Sequence, residues 1–440
     1  MGDSRERGNG HGPDSPGASV TPVSALLEGA LSGRFSRRQI VRRAAALGIS
    51  GPMLAAMLKI APGVAAQDGT PVAPPPSGDP VVIGCPYNLT GGYASLDNPA
   101  REGSELAAEE LNRSGGILGR PVRLQVYDGK SDVPTITSVV KRLVEEDKVP
   151  ALAGLTDTSY MFAGGQVAQE AGVPFLDVGG TAPIITSIGD YIFMLPFGDN
   201  VQAAASAEFA QTKGWQTCAL LFDEAMDYTK FLAKYFKDRY TAEDIGGQIV
   251  SELTYSMGDT DFSAQLTEFK NLNPAPAVLF ISSNPGEIGT IVKQARDLGL
   301  TQPILGGDGY DTPLLVELAG DASHDVFFTT HQGVFGDAPE GKAFAEAYQV
   351  KYGKAPEVAF AALGYDGIKL MADAINRAGS LEGEAIRDAL AATQGFNGAT
   401  GTISYEEGSR IPSKSVALVE IKDRAPSLIE IVVPKTIPPA

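Results

Sequence analysis

The run VVIGC (81–85), followed by VRLQVY (122–127), PALAGL (150–155), PFLDV (174–178) and YIFML (191–195), decides the fold. Each run is short and apolar, and several are rich in β-branched residues, as strands buried on both faces of a sheet must be. Longer stretches with helical spacing of apolar residues, such as 100–113 and 135–146, lie between them. The alternation then repeats. TCALLF (217–222), GQIVSEL (247–253), AVLFI (277–281), PILG (303–306) and DVFFT (325–329) are interleaved with helical patterns at 201–213, 262–270 and 288–298. Strand alternating with helix predicts parallel sheets with helices on both faces. The ten runs divide into two five-strand units with a break near 196–200. Beyond 330 the chain turns helical, at 342–352, 358–378 and 382–392. A short β-like pair is expected near 401–405 and 415–421.

Composition narrows the function. The 440 residues hold 35 Lys+Arg against 53 Asp+Glu, a net charge of −18. Such a chain lacks the positive surface that nucleic acid requires, and anionic lipid is disfavoured for the same reason. Two cysteines, Cys85 and Cys218, exclude a disulfide scaffold and a cysteine-rich zinc site. One bridge between them is allowed by count, but both sit in apolar runs, where buried free thiols are favoured. His11, His324 and His331 are too few and too scattered for most histidine-based metal chemistry. After the first strand, CPYNLTGG (85–92) lacks the Gly-x-Gly-x-x-Gly of a dinucleotide site. The chain also lacks a Gly-x-Ser-x-Gly elbow and a phosphate-binding Gly-x-x-x-x-Gly-Lys-Ser/Thr loop. An enzyme is therefore not expected, and no cofactor or metal is.

The first 80 residues differ from the rest. Residues 1–35 are polar and rich in Gly, Pro and Ser. SRRQIV (36–41), Arg42 and Arg43 precede an apolar run, 44–58, and a small-residue Val64-Ala65-Ala66. Basic segment, apolar segment and cleavage site make an export leader over 1–66, cut after Ala66. Its Ser-Arg-Arg core resembles the twin-arginine signal. A retained anchor is the alternative, but about 20 apolar residues are needed to span a membrane, and Gly48, Gly51 and Pro52 interrupt this run. Residues 67–80 read as a Pro-rich linker. The leader holds eight Lys/Arg and four Asp/Glu, so the remainder carries −22. An exported, acidic protein is expected, in the periplasm or at the cell surface.

Open parallel sheets bind ligands beyond the carboxyl ends of their strands. Four segments fall there. Thr158 and Ser159, after the third run, suit a helix N-cap and an anion site, although capping alone would explain them. Gly179-Gly180-Thr181 would let a ligand approach the backbone and adds a hydroxyl. Asp308, between Gly307 and Gly309, could face a cation or be a solvated turn acid. Asp223, Glu224 and Asp227 suggest a metal or, better, acids at a helix N-terminus.

Motifs spread along the chain bring a family resemblance. LNRSGGILG (111–119), YDGKSD (127–132), GDTDFS (258–263), QARDLG (294–299) and GYD (364–366) occur in the order and spacing of the type I periplasmic solute-binding proteins, in particular the leucine/isoleucine/valine-binding branch. The resemblance covers about 81–422. It implies two Rossmann-like lobes joined by a three-crossover hinge: 81–198 with 331–411, and 199–330 with 412–440. It also implies a ligand held in the cleft as the lobes close. By position, Thr158 falls on a carboxylate-binding hydroxyl, Gly179 and Gly180 on backbone contacts, Thr181 on a hydroxyl at the ligand's polar end, and Asp308 on the acid that meets its ammonium. Tyr228 falls near a family tyrosine. Leu96 stands where the branch has a pocket tyrosine, with Tyr93 and Ser95 beside it, and Pro285 replaces another aromatic. The implied function is capture of a small amino acid or related amide-type solute for the membrane permease of an ABC importer. A ligand-sensing receptor that signals to a partner protein is the alternative on the same fold.

Overall fold

A computed structural model describes residues 74–440, together with Ala44 and Leu47. Apart from those two residues, the expected leader lies outside the described residues, as do its cut after Ala66 and the first half of the linker, 67–73. Within 74–440 the chain alternates as the apolar runs require. β1 (Val81–Tyr87), α1 (Ala94–Arg113), β2 (Val122–Asp128), α2 (Val133–Glu145), β3 (Ala151–Gly154), α3 (Thr158–Ala171), β4 (Phe175–Asp177) and β5 (Ile192–Met194) come first. They form a five-stranded parallel sheet in the order β2-β1-β3-β4-β5.

The second series is α4 (Asp199–Thr212), β6 (Thr217–Asp223), α5 (Asp227–Tyr240), β7 (Gln248–Tyr255), α6 (Ser263–Asn271), β8 (Val278–Ser282), α7 (Ile288–Asp297), β9 (Ile304–Gly306), α8 (Pro313–Ala319) and β10 (Val326–Thr330). The chain then runs through α9 (Pro339–Tyr352), α10 (Ala359–Ala378), α11 (Gly383–Ala391), β11 (Phe396–Gly398), β12 (Gly401–Ile403), β13 (Val416–Lys422) and β14 (Ala425–Val432).

Two expectations are corrected here. The second sheet has seven strands, not five, in the order β14-β13-β10-β9-β8-β6-β7. The segments near 401–405 and 415–421 are not partners: β12 pairs with β11, and β13 pairs antiparallel with β10 and β14. Apolar pattern marks a strand but not its neighbour, and β13 finds β10 some ninety residues earlier in the chain. The helix expected from 100 begins at Ala94 and carries Pro99 inside it. The Asn98 side chain donates to the carbonyls of Ala94 (2.9 Å) and Leu89 (3.1 Å), tying down the turn that Pro99 interrupts.

The core follows the sheets. Ile83, Leu152, Phe175 and Phe193 centre one buried cluster in the first lobe; Leu221, Ile281 and Ile304 centre another on one face of the second sheet. Leu220, Phe236 and Phe280 fill the opposite face of that sheet. Cys85 and Cys218 are free, buried thiols in the two different sheets. Helix α10 lies directly on α1, because Gly103 and Gly364 let the backbones touch. A Cβ at Gly103 would sit 1.8 Å from the Ala361 carbonyl oxygen, and one at Gly364 would sit 1.9 Å from that of Ala100. This packing returns the chain after β10 to the first lobe before β13 re-enters the second sheet.

Candidate functional site

The carboxyl ends of both sheets face one small cavity of about 10 Å³, room for roughly one water. The first lobe contributes Tyr93, Leu96, Thr156, Asp157, Thr158, Gly179, Thr181 and Phe360. The second contributes Tyr228, Pro285, Asp308 and Gly309. Neither Lys nor Arg is among these lining residues.

Local chemistry sets each group. Asp157, not Thr158 or Ser159, is the N-cap of α3: its Oδ1 accepts from the N–H groups of Ser159 (2.8 Å) and Tyr160 (3.3 Å). A carboxylate is the stronger acceptor for these orphan donors. Thr158 is the first helical residue, and its Oγ1 accepts from the Ala182 N–H at 3.3 Å, which leaves its own proton to donate. Thr156 Oγ1 is buried without a protein partner. Tyr228 Oη accepts from the Gly309 N–H at 2.9 Å, so its proton also points elsewhere.

The glycine pair spends its N–H groups locally. The N–H groups of Gly179 (3.1 Å) and Gly180 (2.7 Å) both donate to Asp177 Oδ1. They are not free for a carboxylate, and only carbonyls remain for a ligand. Gly180 lies outside the cavity wall, where a Cβ would press on Asp177 Oδ2 at 2.8 Å. Burial pushes the Asp177 carboxyl well above the usual carboxylate range.

Asp308 is buried behind the second lobe's face of the cavity. Its Oδ1 accepts from Gln202 Nε2 at 2.9 Å, and its Oδ2 lies 3.1 Å from His331 Nε2. Gln202 also holds Asp199 Oδ1 at 2.9 Å and accepts from the Asp308 N–H at 3.1 Å. Burial, then the charge of Asp308, drives the Asp199 carboxyl well above its ordinary value. Burial lowers His331, favouring the neutral ring, which stacks on Phe197 with centroids 4.0 Å apart. Sequence reading missed Asp199, Gln202 and His331. His331 directly follows β10, so the strand-end rule that found Asp308 would have found it too.

Ser95 and Ser159 are placed at contacts between lobes rather than in the cavity wall. Ser95 Oγ meets Thr312 Oγ1 at 3.0 Å. Ser159 Oγ accepts from the Asp227 N–H at 3.0 Å. Tyr93 hydrogen-bonds Asp157 in its own lobe and Asn284 in the other. Met226 and Met257, from the second lobe, pack against the first lobe's core. The cleft is therefore shut. The acids of 223–227 hold backbone and helix: Asp223 Oδ1 accepts from Ala225 and Met257, and Asp227 pairs with Lys230 in the first turn of α5. Among the described residues no group of three or more His, Cys, Asp or Glu is placed to hold a metal, and no helix is long and apolar enough to cross a membrane.

Residues 80–426 match the family model described as periplasmic binding protein. A leucine-, isoleucine-, valine-, threonine- and alanine-binding protein of Pseudomonas aeruginosa is 28% identical over 331 residues, 75% of this chain and 86% of that protein. The crystal structure of a leucine binding protein from Thermotoga maritima is 34% identical, with TM-score 0.76, covering 80% of this chain and 99% of that one. That of a branched-chain amino acid transporter substrate binding protein from Streptococcus pneumoniae, in complex with isoleucine, is 31% identical, with TM-score 0.76, covering 81% and 100%.

Proposed function

From the premise that the chain belongs to the periplasmic binding protein family, we propose that it captures a small amino acid or related amide-type solute by closing its two lobes, and delivers it to the permease of an ABC-type importer. The single observation that carries this reading is the wall of the cavity. Asp308 on one lobe faces the hydroxyls of Thr156, Thr158 and Thr181 on the other, without a lining cation. Such a wall suits a ligand that brings its own positive charge and a carboxylate or amide oxygen.

In this reading the ammonium lies at Asp308, supported by the Gly179 carbonyl. The carboxylate lies at the Thr158 and Thr181 hydroxyls, beside the positive end of α3. Leu96, Pro285 and Phe360 cover the side chain. The closed cavity of about 10 Å³ is far below the roughly 300–1,000 Å³ of pockets for drug-sized ligands, so its walls part to admit even a ligand of few heavy atoms. No bond is made or broken; the lobes desolvate the ligand and the closed form docks on the permease. The relatives are binding proteins rather than enzymes, in keeping with that role. Residues 1–66 would act as the export leader.

Calorimetry of residues 67–440, unfolded and refolded to strip retained ligand, against the common amino acids and then short amides and urea tests the reading. Micromolar or tighter binding of one small amino acid is expected. Binding only of a solute without an ammonium would remove the role of Asp308, and no binding across the set would overturn the reading.

A further inference from the structure

Four side chains form one line across the cleft: Asp157 and Tyr93 from the first lobe, Asn284 and Asp223 from the second. Tyr93 Oη lies 2.9 Å from Asp157 Oδ2 and hydrogen-bonds Asn284 Oδ1, and Asn284 Nδ2 lies 2.6 Å from Asp223 Oδ2. All four are buried. Counting protons along this line gives a result that does not depend on how the amide is turned. With Asn284 Oδ1 toward Tyr93, the tyrosine has a single proton for two acceptors, Asp157 and Asn284. With the amide reversed, Nδ2 serves Tyr93, but Oδ1 then opposes the Asp223 carboxylate. Either way three contacts share two donors, and one contact lacks a proton.

The shortage exists only when the lobes touch. Apart, Tyr93 donates to Asp157, Asn284 donates to Asp223, and water serves the rest. We propose that closure of the cleft takes up one proton, carried on Asp157 and shared with Tyr93, so that acid favours the closed state. The inference rests on the lobe-closure reading above.

The surroundings agree. The groups facing Asp157 and Tyr93 from neighbouring elements are Asp97 on α1, Tyr160 on α3, Asp177 on β4, Asp199 on α4, and Asp227 and Tyr228 on α5. None is a cation, so nothing there compensates a second negative charge. Burial raises the Asp157 carboxyl from 3.8 to about 6 in the closed form, and burial also raises Asp223. A group whose value is higher when closed stabilises that state as pH falls through it. The effect grows between about pH 6 and the ordinary 3.8, then levels off.

The test reads closure with and without ligand. Ser138 on α2 and Thr267 on α6 are exposed, and Cys85 and Cys218 are buried. Dyes on Ser138→Cys and Thr267→Cys would therefore report the closed-to-open ratio by single-molecule energy transfer. That ratio in unliganded protein should rise about tenfold from pH 7.5 to pH 5. The dissociation constant for L-alanine should fall by the same factor over that range. Asp157→Asn keeps an N-cap acceptor and supplies the missing hydrogen, so its ratio should be high and flat with pH. A wild-type ratio that does not change with pH, including one too small to register at pH 5, overturns the proposal, and so does an undiminished slope in Asp157→Asn. Failure of L-alanine to bind bears instead on the ligand reading, because the unliganded ratio is measured without it.

Discussion

The Nε2 of His331 lies 3.1 Å from the Oδ2 of Asp308, and both side chains are buried. The histidine begins the segment that leaves β10 for the first lobe, while the aspartate begins the turn after β9. The pair therefore ties the expected ammonium site to a strand that joins the lobes.

Asp308→Ala should abolish amino-acid binding while the fold persists. Removing one member of a buried charge pair typically costs roughly 3–5 kcal/mol, more than a hundredfold in affinity. The far-ultraviolet circular dichroism should be unchanged. An unaltered calorimetric affinity would remove Asp308 from the site.

His331→Phe keeps the stack on Phe197 but removes the donor to Asp308. Losing a hydrogen bond to a charged acceptor costs about 1.5–3 kcal/mol. Affinity should fall at least tenfold, less than in Asp308→Ala, and for every ligand alike. A change confined to ligands of one side-chain size would mean that the ring shapes the pocket instead.

Stability should rise as pH falls from 8 to 5.5. Burial raises Asp97 and Asp311 from 3.8 to about 7, and Asp157 to about 6. The native state therefore holds protons that the unfolded chain has released, and this stabilisation is lost as pH rises through the native values. His331, lowered by burial, works the other way below its ordinary 6.5, but it is one group against several. Asp97→Asn should remove on the order of 2 kcal/mol of the difference. Thermal melts at the two pH values check both statements; a wild type that melts higher at pH 8 contradicts them.

How far these features were legible follows from where their causes lie. The strands of the parallel sheets were readable because burial on both faces makes them continuously apolar, as in VLFIS of β8. β14 was not: Pro426 and Glu430 interrupt it, and most of this edge strand is exposed. Thr158, Thr181 and Asp308 were reachable because they follow strands. The Asp177 contact to Gly179 and Gly180 is local and was readable in principle. The Tyr93–Asn284 contact was not, because it joins residues 191 apart across two lobes. Ser95 and Ser159 sat in the right segments, yet which of their neighbours faces the cavity is decided only when the lobes meet.

Gly103→Ala should destabilise the fold without touching the cavity. The added methyl would meet the Ala361 carbonyl oxygen at 1.8 Å, so α1 and α10 must separate. Overpacking of this kind costs about 1–3 kcal/mol, and more against rigid backbone. The melting temperature should drop by several degrees. A melting temperature within a degree of wild type would show that the two helices can slide apart freely.

Ser159→Ala separates a closure contact from a ligand contact. The Ser159 hydroxyl accepts the Asp227 N–H only when the lobes meet, at 3.0 Å. In the open form water would satisfy both groups, so the bond contributes to closing alone. Its loss should weaken binding by roughly 0.5–1.5 kcal/mol, about twofold to tenfold. Because the lost term belongs to closure, the same factor should apply to every ligand, whatever its side chain. Calorimetry of this variant against two bound solutes of different size reads the ratio. An equal loss for both places Ser159 in the closure of the cleft. A loss for one and not the other would return it to the wall of the binding site, where its place beside Thr158 in the sequence first put it.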